Sequence, residues 1–482
     1  MQPTVSIILP IRNEAKFIEN CLGSIISQDL PLYSIEVLLI DGNSVDNTKE
    51  VAGNCLKNNL LAKNLKHWEI IDNPHKTAPY GMNIGINKAK GDYILILSGH
   101  SLIAPDYLTQ CIKTIKDKDA DNVGGPAIPI DLKNDSIARA ISMAHLSPFG
   151  LGGGAFRLGD FEGYVDTVYL GFYKKETFAR YGLYDARLTR NQDIELNSRI
   201  RRGIKFISNF KFQNSEIERE SNLGVSAALC EEKEPGFPIG SGMTGGCGIK
   251  SEKTEKESNL RKSAQSADRE APGKIYLTPK IKSYYYCRNT LSGLWSQNFK
   301  NGQWVVYTKY IAPYALSLRH FIPLIFVSTI LLLIMASLIS LKSSTGSTGF
   351  SGPTPPYPPR SGEGLVNGFG PIALLLLALV LGAYFGAMLY FVGRAGRSVQ
   401  RTAYSKQGAA KGGVVKTFET VGGPGETNKQ PGGSEFVIRN SSFSFGSLLL
   451  LPIVFMTLHF SYGLGSLWGL ISLPCWAARK KR

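Results

Sequence analysis

Asp193 and Glu195 stand two residues apart in the stretch Arg190-Asn191-Gln192-Asp193-Ile194-Glu195-Leu196-Asn197. On a helix that spacing turns two side chains to different faces, so the two carboxylates do not share one reacting atom. Asn191 is a residue type that caps helix N-termini, which puts Asp193 in the first turn. There the partial positive charge of the helix end favours an ionised carboxylate. An ionised, pre-positioned carboxylate is what a general base needs to take a proton from a hydroxyl; an acidic helix start on a surface has the same pattern. Ser98-Gly99-His100 offers a second constellation, a hydroxyl beside an imidazole. Imidazole binds Mn²⁺ more readily than Mg²⁺, and a lone histidine also serves as a purely structural residue.

Elements that would position these groups are legible around them. Val5–Leu9, Ile35–Ile40, Trp68–Ile71 and Tyr93–Leu97 are short apolar runs of strand type. Helical patterns separate them, the first carrying Phe17, Ile18, Leu22, Ile25 and Ile26 on one face. Strands alternating with helices predict an α/β fold, a mostly parallel sheet with helices on both faces. Ligands of such sheets bind outside the C-terminal strand ends. Those ends carry Pro10–Glu14, Asp41–Ser44, Asp72–Lys76 and Ser98–His100. The first strand is followed by neither GxGxxG nor GxxxxGK[ST], which excludes an ordinary dinucleotide-binding fold and a P-loop enzyme.

Val5–Glu14 with Asp41-Gly42-Asn43-Ser44-Val45-Asp46-Asn47-Thr48 resembles the start of family 2 glycosyltransferases, which have the GT-A nucleotide-sugar-binding fold. The likeness is to the succinoglycan-biosynthesis glucosyltransferase type. Asp121–Pro126, Ser147–Arg157, Gly163–Val168 and Arg190–Asn197 carry it further. It covers 4–213 and resumes over 276–320. The resemblance implies an inverting transferase that moves a hexosyl group from a nucleotide-sugar, a UDP-sugar by expectation, with Asp193 as the base. It implies Pro10, Asn13, Glu14, Asp41, Lys76 and Ser98 as nucleotide-sugar-binding residues, and Asp166, Gly153 and Gly154 on the acceptor side. A divalent cation, Mn²⁺ or Mg²⁺, is expected on the diphosphate with His100 as a ligand. The family has an acid where Ser98 stands, and another where Gln192 stands; both departures bear on metal use and activity.

The charge of +16 is uneven. Residues 1–213 are nearly balanced, 276–320 carry six basic residues and no acid, and 321–482 hold most of the excess. That pattern suits anionic lipid groups, and no nucleic-acid-binding motif is present. Seven cysteines without a CxxC pair read as reduced thiols. Met1-Gln2-Pro3 leads into a strand without a secretory leader pattern. Residues 214–275, rich in Glu, Lys, Ser and Gly, are expected to be a disordered insertion. Residues 276–320 complete the catalytic domain with a basic, aromatic segment that lies on a membrane surface or packs as a core helix. Within 321–482, spans are expected near 321–341, 371–393 and 445–463, the last followed by an interfacial or re-entrant piece broken by Gly463, Gly465 and Gly469. Eight basic residues in 394–440 put that loop and the catalytic domain in the cytoplasm by the positive-inside rule. The resulting expectation is a multi-pass membrane enzyme that glycosylates a polyprenyl-linked or other lipid-linked saccharide. The alternatives are a processive polysaccharide synthase, for which the Gln-x-x-Arg-Trp motif is missing, and a non-catalytic sugar-nucleotide-binding scaffold.

Overall fold

A computed structural model of the chain describes residues 3–130, 135–151, 154–157, 159–206, 270–345, 363–408 and 445–480. Most of the expected insertion, 214–269, lies outside the described residues, and β10 below begins at Ile275, its last expected position.

The N-terminal half runs β1 (Val5–Ile11), α1 (Ile18–Ile26), β2 (Ile35–Asp41), α2 (Thr48–Asn58), β3 (His67–Asp72), α3 (Ala78–Lys88), β4 (Tyr93–Ile96), β5 (Ser101–Ile103) and α4 (Tyr107–Asp117). It continues through β6 (Asn122–Gly125), β7 (Ala127–Ile130), α5 (Ser136–His145), α6 (Pro148–Leu151), β8 (Gly163–Tyr164), β9 (Tyr169–Lys174), α7 (Lys175–Tyr181) and α8 (Gln192–Arg202). After the insertion come β10 (Ile275–Leu277), β11 (Ser283–Tyr286) and α9 (Leu291–Ile311). Three long helices follow: α10 (Ile322–Thr345), α11 (Glu363–Gly408) and α12 (Phe445–Lys480).

Eight strands form one mixed sheet in the order β3-β2-β1-β4-β9-β6-β10-β8. The parallel block β3-β2-β1-β4 is the part legible from alternation, and all of β2 is buried, as a strand covered on both faces must be. The sheet is less parallel than expected, because β9 inserts antiparallel between β4 and β6. A second sheet, β5-β11-β7, joins the chain beyond the insertion to the N-terminal unit. Apolar clusters fill both faces of the large sheet, one around Ile7, Leu9, Ile25 and Phe172, the other around Ile8, Ile94, Tyr173 and Leu196.

Among the described residues, three helices are long and apolar enough to cross a membrane: Leu318–Leu341, Gly370–Gly396 and Phe445–Ala478. The last differs from expectation. α12 is unbroken over 36 residues, about 54 Å at 1.5 Å per residue. Gly465 and Gly469 are contact points with α9, and Gly463 with α10, instead of breaks. A Cβ on Gly465 would lie 2.0 Å from the Phe299 carbonyl, and one on Gly302 2.0 Å from the Tyr462 carbonyl. Ser466 Oγ donates to the Gly302 carbonyl at 3.1 Å, and Tyr307 stacks on Trp476 at 4.3 Å between ring centroids. The basic aromatic segment is therefore a helix packed lengthwise on α12. Gly302→Leu is expected to separate this pair, lowering the thermal midpoint of the detergent-solubilised chain and exposing Trp476 to aqueous quenchers; unchanged quenching would show that the contact is dispensable.

Candidate active site

Arg190, Asn191, Glu195 and Asn197 are each held by a partner, and together they fix one carboxylate in place. Asn191 holds the expected N-cap position, with Asp193 in the first turn, but in a left-handed conformation, φ 61°, and its side chain makes no capping bond. Its side chain instead donates to Thr308 Oγ1 on α9 at 3.1 Å. Arg190 Nη1 donates to Asn301 Oδ1, also on α9, at 2.6 Å. Asn197 accepts from Asn122 Nδ2 at 2.9 Å and donates to Thr167 Oγ1 at 2.9 Å, pinning α8 to β6 and to the loop before β9.

Glu195 and Arg199 are both completely buried and form a two-armed pair, Nε–Oε1 2.6 Å and Nη2–Oε2 2.9 Å. Arg199 also donates to the Tyr181 and Leu183 carbonyls, and Tyr314 OH donates to Glu195 Oε1 at 2.6 Å. Glu195 is thus a fastening group with its lone pairs engaged. Asp193 remains: it forms no ion pair among the described residues and opens on a cleft of about 360 Å³. Solvent reaches its carboxylate through the mouth, yet protein surrounds it closely. That desolvation raises its pKa above the ordinary aspartate value, opposed by backbone N–H groups of the first helical turn and the positive charge of Arg157.

The cleft lies where the strands end. Pro10, Arg12 and Glu14 come from the end of β1, Gly42 from β2, Lys76 and Thr77 from β3, and Ser98 and His100 from β4. Tyr169, Tyr173, Tyr184, Gln192 and Asp193 close the opposite side. Three of the strand-end loops turn through left-handed residues, Asn13, Asn43 and Lys76, at φ 56°, 59° and 63°. Asn accepts that conformation readily and Lys does not, so the loop at Lys76 holds local strain. Gly42 permits the crowding there, because a Cβ on it would sit 3.0 Å from the Lys76 carbonyl.

Several expected site residues lie elsewhere. Asp41 is fully buried beneath its loop, accepting from Ser44 N at 3.1 Å and Ser44 Oγ at 2.5 Å, so it shapes the loop and is not on the cleft wall. Asn13 bridges two loops, its N–H donating to Ser44 Oγ and its Oδ1 accepting from Val45 N. Asp166 is paired with Arg319 at the start of the first apolar helix. Gly154 is off the wall, and Gly153 lies outside the described residues. Conversely, Arg12 and Thr77 line the cleft without having been singled out. Arg12 sits inside the quoted strand-end motif, and its position was the available signal. Thr77 Oγ1 and Gln192 Oε1 are buried polar atoms without a protein partner, which makes the cleft a place ready to receive a polar ligand.

His100 Nδ1 lies 2.8 Å from Glu14 Oε1, with Ser98 Oγ at 3.2 Å from the same nitrogen. No group of three His, Cys, Asp or Glu side chains suited to a metal occurs among the described residues. One carboxylate, one imidazole and one hydroxyl on the wall suffice for one side of a divalent cation whose other ligands are phosphate oxygens. The donor set fits such an ion, with Glu14 supplying the carboxylate that position 98 lacks.

Comparison with known proteins gives this cleft its family. Residues 6–182 match the model of "Glycosyl transferase family 2". A dolichyl N-acetyl-α-D-glucosaminyl phosphate 3-β-D-2,3-diacetamido-2,3-dideoxy-β-D-glucuronosyltransferase of Methanococcus voltae is 29% identical over 222 residues, 45% of this chain and 68% of that one. Glycosyltransferase AglE of Haloferax volcanii is 32% identical over 26% of this chain and 39% of its own length. Succinoglycan biosynthesis protein ExoA of Rhizobium meliloti is 25% identical over 40% of this chain and 57% of its own. The matched region thus spans only part of these relatives. Among solved structures, the mannosyltransferase PcManGT of Pyrobaculum calidifontis, in complex with GDP-Man and Mn²⁺, is similar at 19% identity and TM-score 0.32, covering 46% of this chain and 62% of that one. The family match falls on the strands and loops that build the cleft, and the N-terminal α/β unit is a family 2 glycosyltransferase domain.

Proposed function

We propose that the chain is a membrane-anchored, inverting glycosyltransferase, active from the cytoplasmic face, which moves a hexose from a nucleotide-sugar to a lipid-linked saccharide. The observation that carries the reading is the Asp193 carboxylate, free of any ion pair among the described residues and open to a cleft walled by four strand ends. Asp193 takes the proton of an acceptor hydroxyl as that oxygen attacks the anomeric carbon. The bond from that carbon to the diphosphate oxygen breaks on the opposite face, and a nucleoside diphosphate leaves. Arg12 and Lys76 supply positive charge to the cleft wall, which favours the departing anion. Glu14 lies against the nucleotide with Ser98 and Pro10, while the orphan oxygens of Thr77 and Gln192 accept from sugar or ribose hydroxyls. A divalent cation, when bound at Glu14 and His100, would neutralise diphosphate charge.

The relatives' names support the acceptor class: the Methanococcus protein is named for a dolichyl-linked sugar phosphate and ExoA for succinoglycan synthesis. A UDP-sugar is the donor proposed. The full chain is to be incubated with UDP- and GDP-sugars and a short-chain prenyl diphosphate saccharide. Acceptor-dependent release of nucleoside diphosphate is expected, and donor hydrolysis indifferent to every acceptor would contradict the reading.

The cation has its own test. His100→Ala should weaken Mn²⁺ binding to the nucleotide-bound chain roughly tenfold, about 1.4 kcal/mol, in a magnetic-resonance titration of free Mn²⁺. An identical titration curve would assign His100 a purely structural role.

A further inference from the structure

α12 is apolar enough to cross a membrane, yet the catalytic unit accompanies it along most of its length. Phe149 of α6 meets Phe455 edge-on at 5.1 Å between ring centroids, and His459 Nε2 donates to the Phe149 carbonyl at 2.6 Å. Further along, Ser472 Oγ lies 2.8 Å from the Tyr307 hydroxyl of α9, and Trp476 stacks on the same tyrosine. α9 is in turn tied to the segment carrying Asp193, through Asn301 and Thr308, and exposes Lys300 and Lys309. The catalytic unit thus touches α12 from Phe455 to Trp476, 22 of its 36 residues and about 33 Å. The flanks that remain, 445–454 and 477–480, hold ten and four residues. A span needs about 20. Crossing by α12 would draw α6, α9 and its lysines into the hydrocarbon, where charged side chains are costly.

α10 and α11 are placed differently. They run antiparallel, with Phe326 stacked on Tyr384 at 4.7 Å near the catalytic unit and the Ser340 side chain beside Gly370 at the far end. α12 meets this hairpin at the near end. Phe460 packs on Phe326, a Cβ on Gly463 would meet the Pro323 carbonyl and Val327, and His459 Nδ1 accepts from the Tyr384 hydroxyl at 3.0 Å. Leu332, Met335 and Leu338, further along α10, are exposed, so the hairpin continues away from α12. α12 itself has two sides. Leu451, Val454, Leu458 and Gly465 are buried, whereas Leu449, Ile453, Met456 and Ile471, spaced by near-whole turns, are exposed. Trp468 is exposed as well, an aromatic type that favours the headgroup level of a bilayer.

We propose that α12 does not cross the bilayer but lies in the plane of the leaflet facing the catalytic unit, its exposed apolar side among the acyl chains, with α10 and α11 as the spans. A helix with one apolar side free and the other engaged by protein suits that position. Arg479-Lys480-Lys481-Arg482 then stay on the side of the catalytic unit, where anionic headgroups attract them. α9, one helix of about 10 Å diameter, separates α12 from the helix of Asp193, which sets the base close above the leaflet. This placement rests on the membrane anchoring in the proposed function.

Native lysines report the sidedness. Sealed right-side-out and inverted membrane vesicles holding the full chain are to be treated with a membrane-impermeant lysine-acylating reagent, and the modified peptides identified by mass spectrometry. Lys480 and Lys481 are expected to react from the same face as Lys57 on α2, and Lys342, at the far end of α10, from the other. Lys481 reacting from the face of Lys342 would overturn the proposal. Depth is the second readout. Spin labels on Met456→Cys and Ile471→Cys, each read against the chain lacking that cysteine, should both lie within about 10 Å of the headgroup level. A crossing helix would separate their depths by about 22 Å, and that result also overturns it. Labels shielded from lipid and broadened by a twin label would make the exposed side a contact between two copies, which overturns it as well. Neither measurement needs turnover. Lys57 reacting from the outer face would strike the cytoplasmic placement in the proposed function, whereas the side of Lys481 relative to Lys57 decides α12 alone.

Discussion

Asp193→Asn is expected to lower sugar transfer by ~10²–10⁴-fold, the range for loss of a general base, or about 3–5 kcal/mol in barrier. The amide keeps the shape of the side chain and most of its hydrogen bonding but has no useful basicity. The pH profile checks the assignment independently of the size of the loss. A base must be ionised, so kcat/KM falls as pH drops through its pKa in the free enzyme. Desolvation in the cleft raises that pKa, which moves the acidic limb upward from the position an exposed aspartate would give. The limb should be present in the wild type and absent from the residual activity of Asp193→Asn. A surface helix-start carboxylate predicts otherwise: its interaction with the helix end is worth only ~0.3–1 kcal/mol, with little effect on rate.

The second large effect belongs to the neighbouring acid. Arg199→Ala or Glu195→Ala is expected to destabilise the catalytic domain by ~3–5 kcal/mol, since either leaves an unpaired charge in a fully buried site. The loss extends beyond the pair. Arg199 satisfies the carbonyls of Tyr181 and Leu183, and Glu195 receives the Tyr314 hydroxyl, so α8, the turn before it and the segment after α9 are tied through these two side chains. Denaturant titration of the variants, followed by tryptophan fluorescence, measures this. A double variant, Glu195→Met with Arg199→Leu, should recover part of the stability, because replacing both charges removes the desolvation penalty that breaking one exposes. A Glu195→Ala chain with normal stability and no activity would instead make Glu195 the base.

These opposite roles for two acids two residues apart were half legible. Spacing alone separates their faces, and the strand-end clusters around Pro10–Glu14, Lys76 and Ser98–His100 do meet in one cleft. What the local pattern could not contain were partners far along the chain. Asn191 has the residue type of a cap, but Thr308, 117 positions away, takes its side chain and the backbone turns left-handed. Asp41 belongs to a motif associated with nucleotide contact, yet Ser44, three residues on, engages it in a buried loop. Gly463, Gly465 and Gly469 resemble breakers in isolation; Gly463 opposite α10, and Gly465 and Gly469 opposite α9, are the residues that let the helices touch. Glu14 was legible as a strand-end residue that reaches the cleft, while its place beside His100 depended on the register between the ends of β1 and β4.

The most direct test of the account is rapid-quench, single-turnover transfer by wild type and Asp193→Asn at saturating donor, with donor affinity measured on the same preparations. The account predicts nearly equal donor affinities and a transfer rate ~10²–10⁴-fold lower in the variant. Transfer by Asp193→Asn at close to the wild-type rate would contradict it.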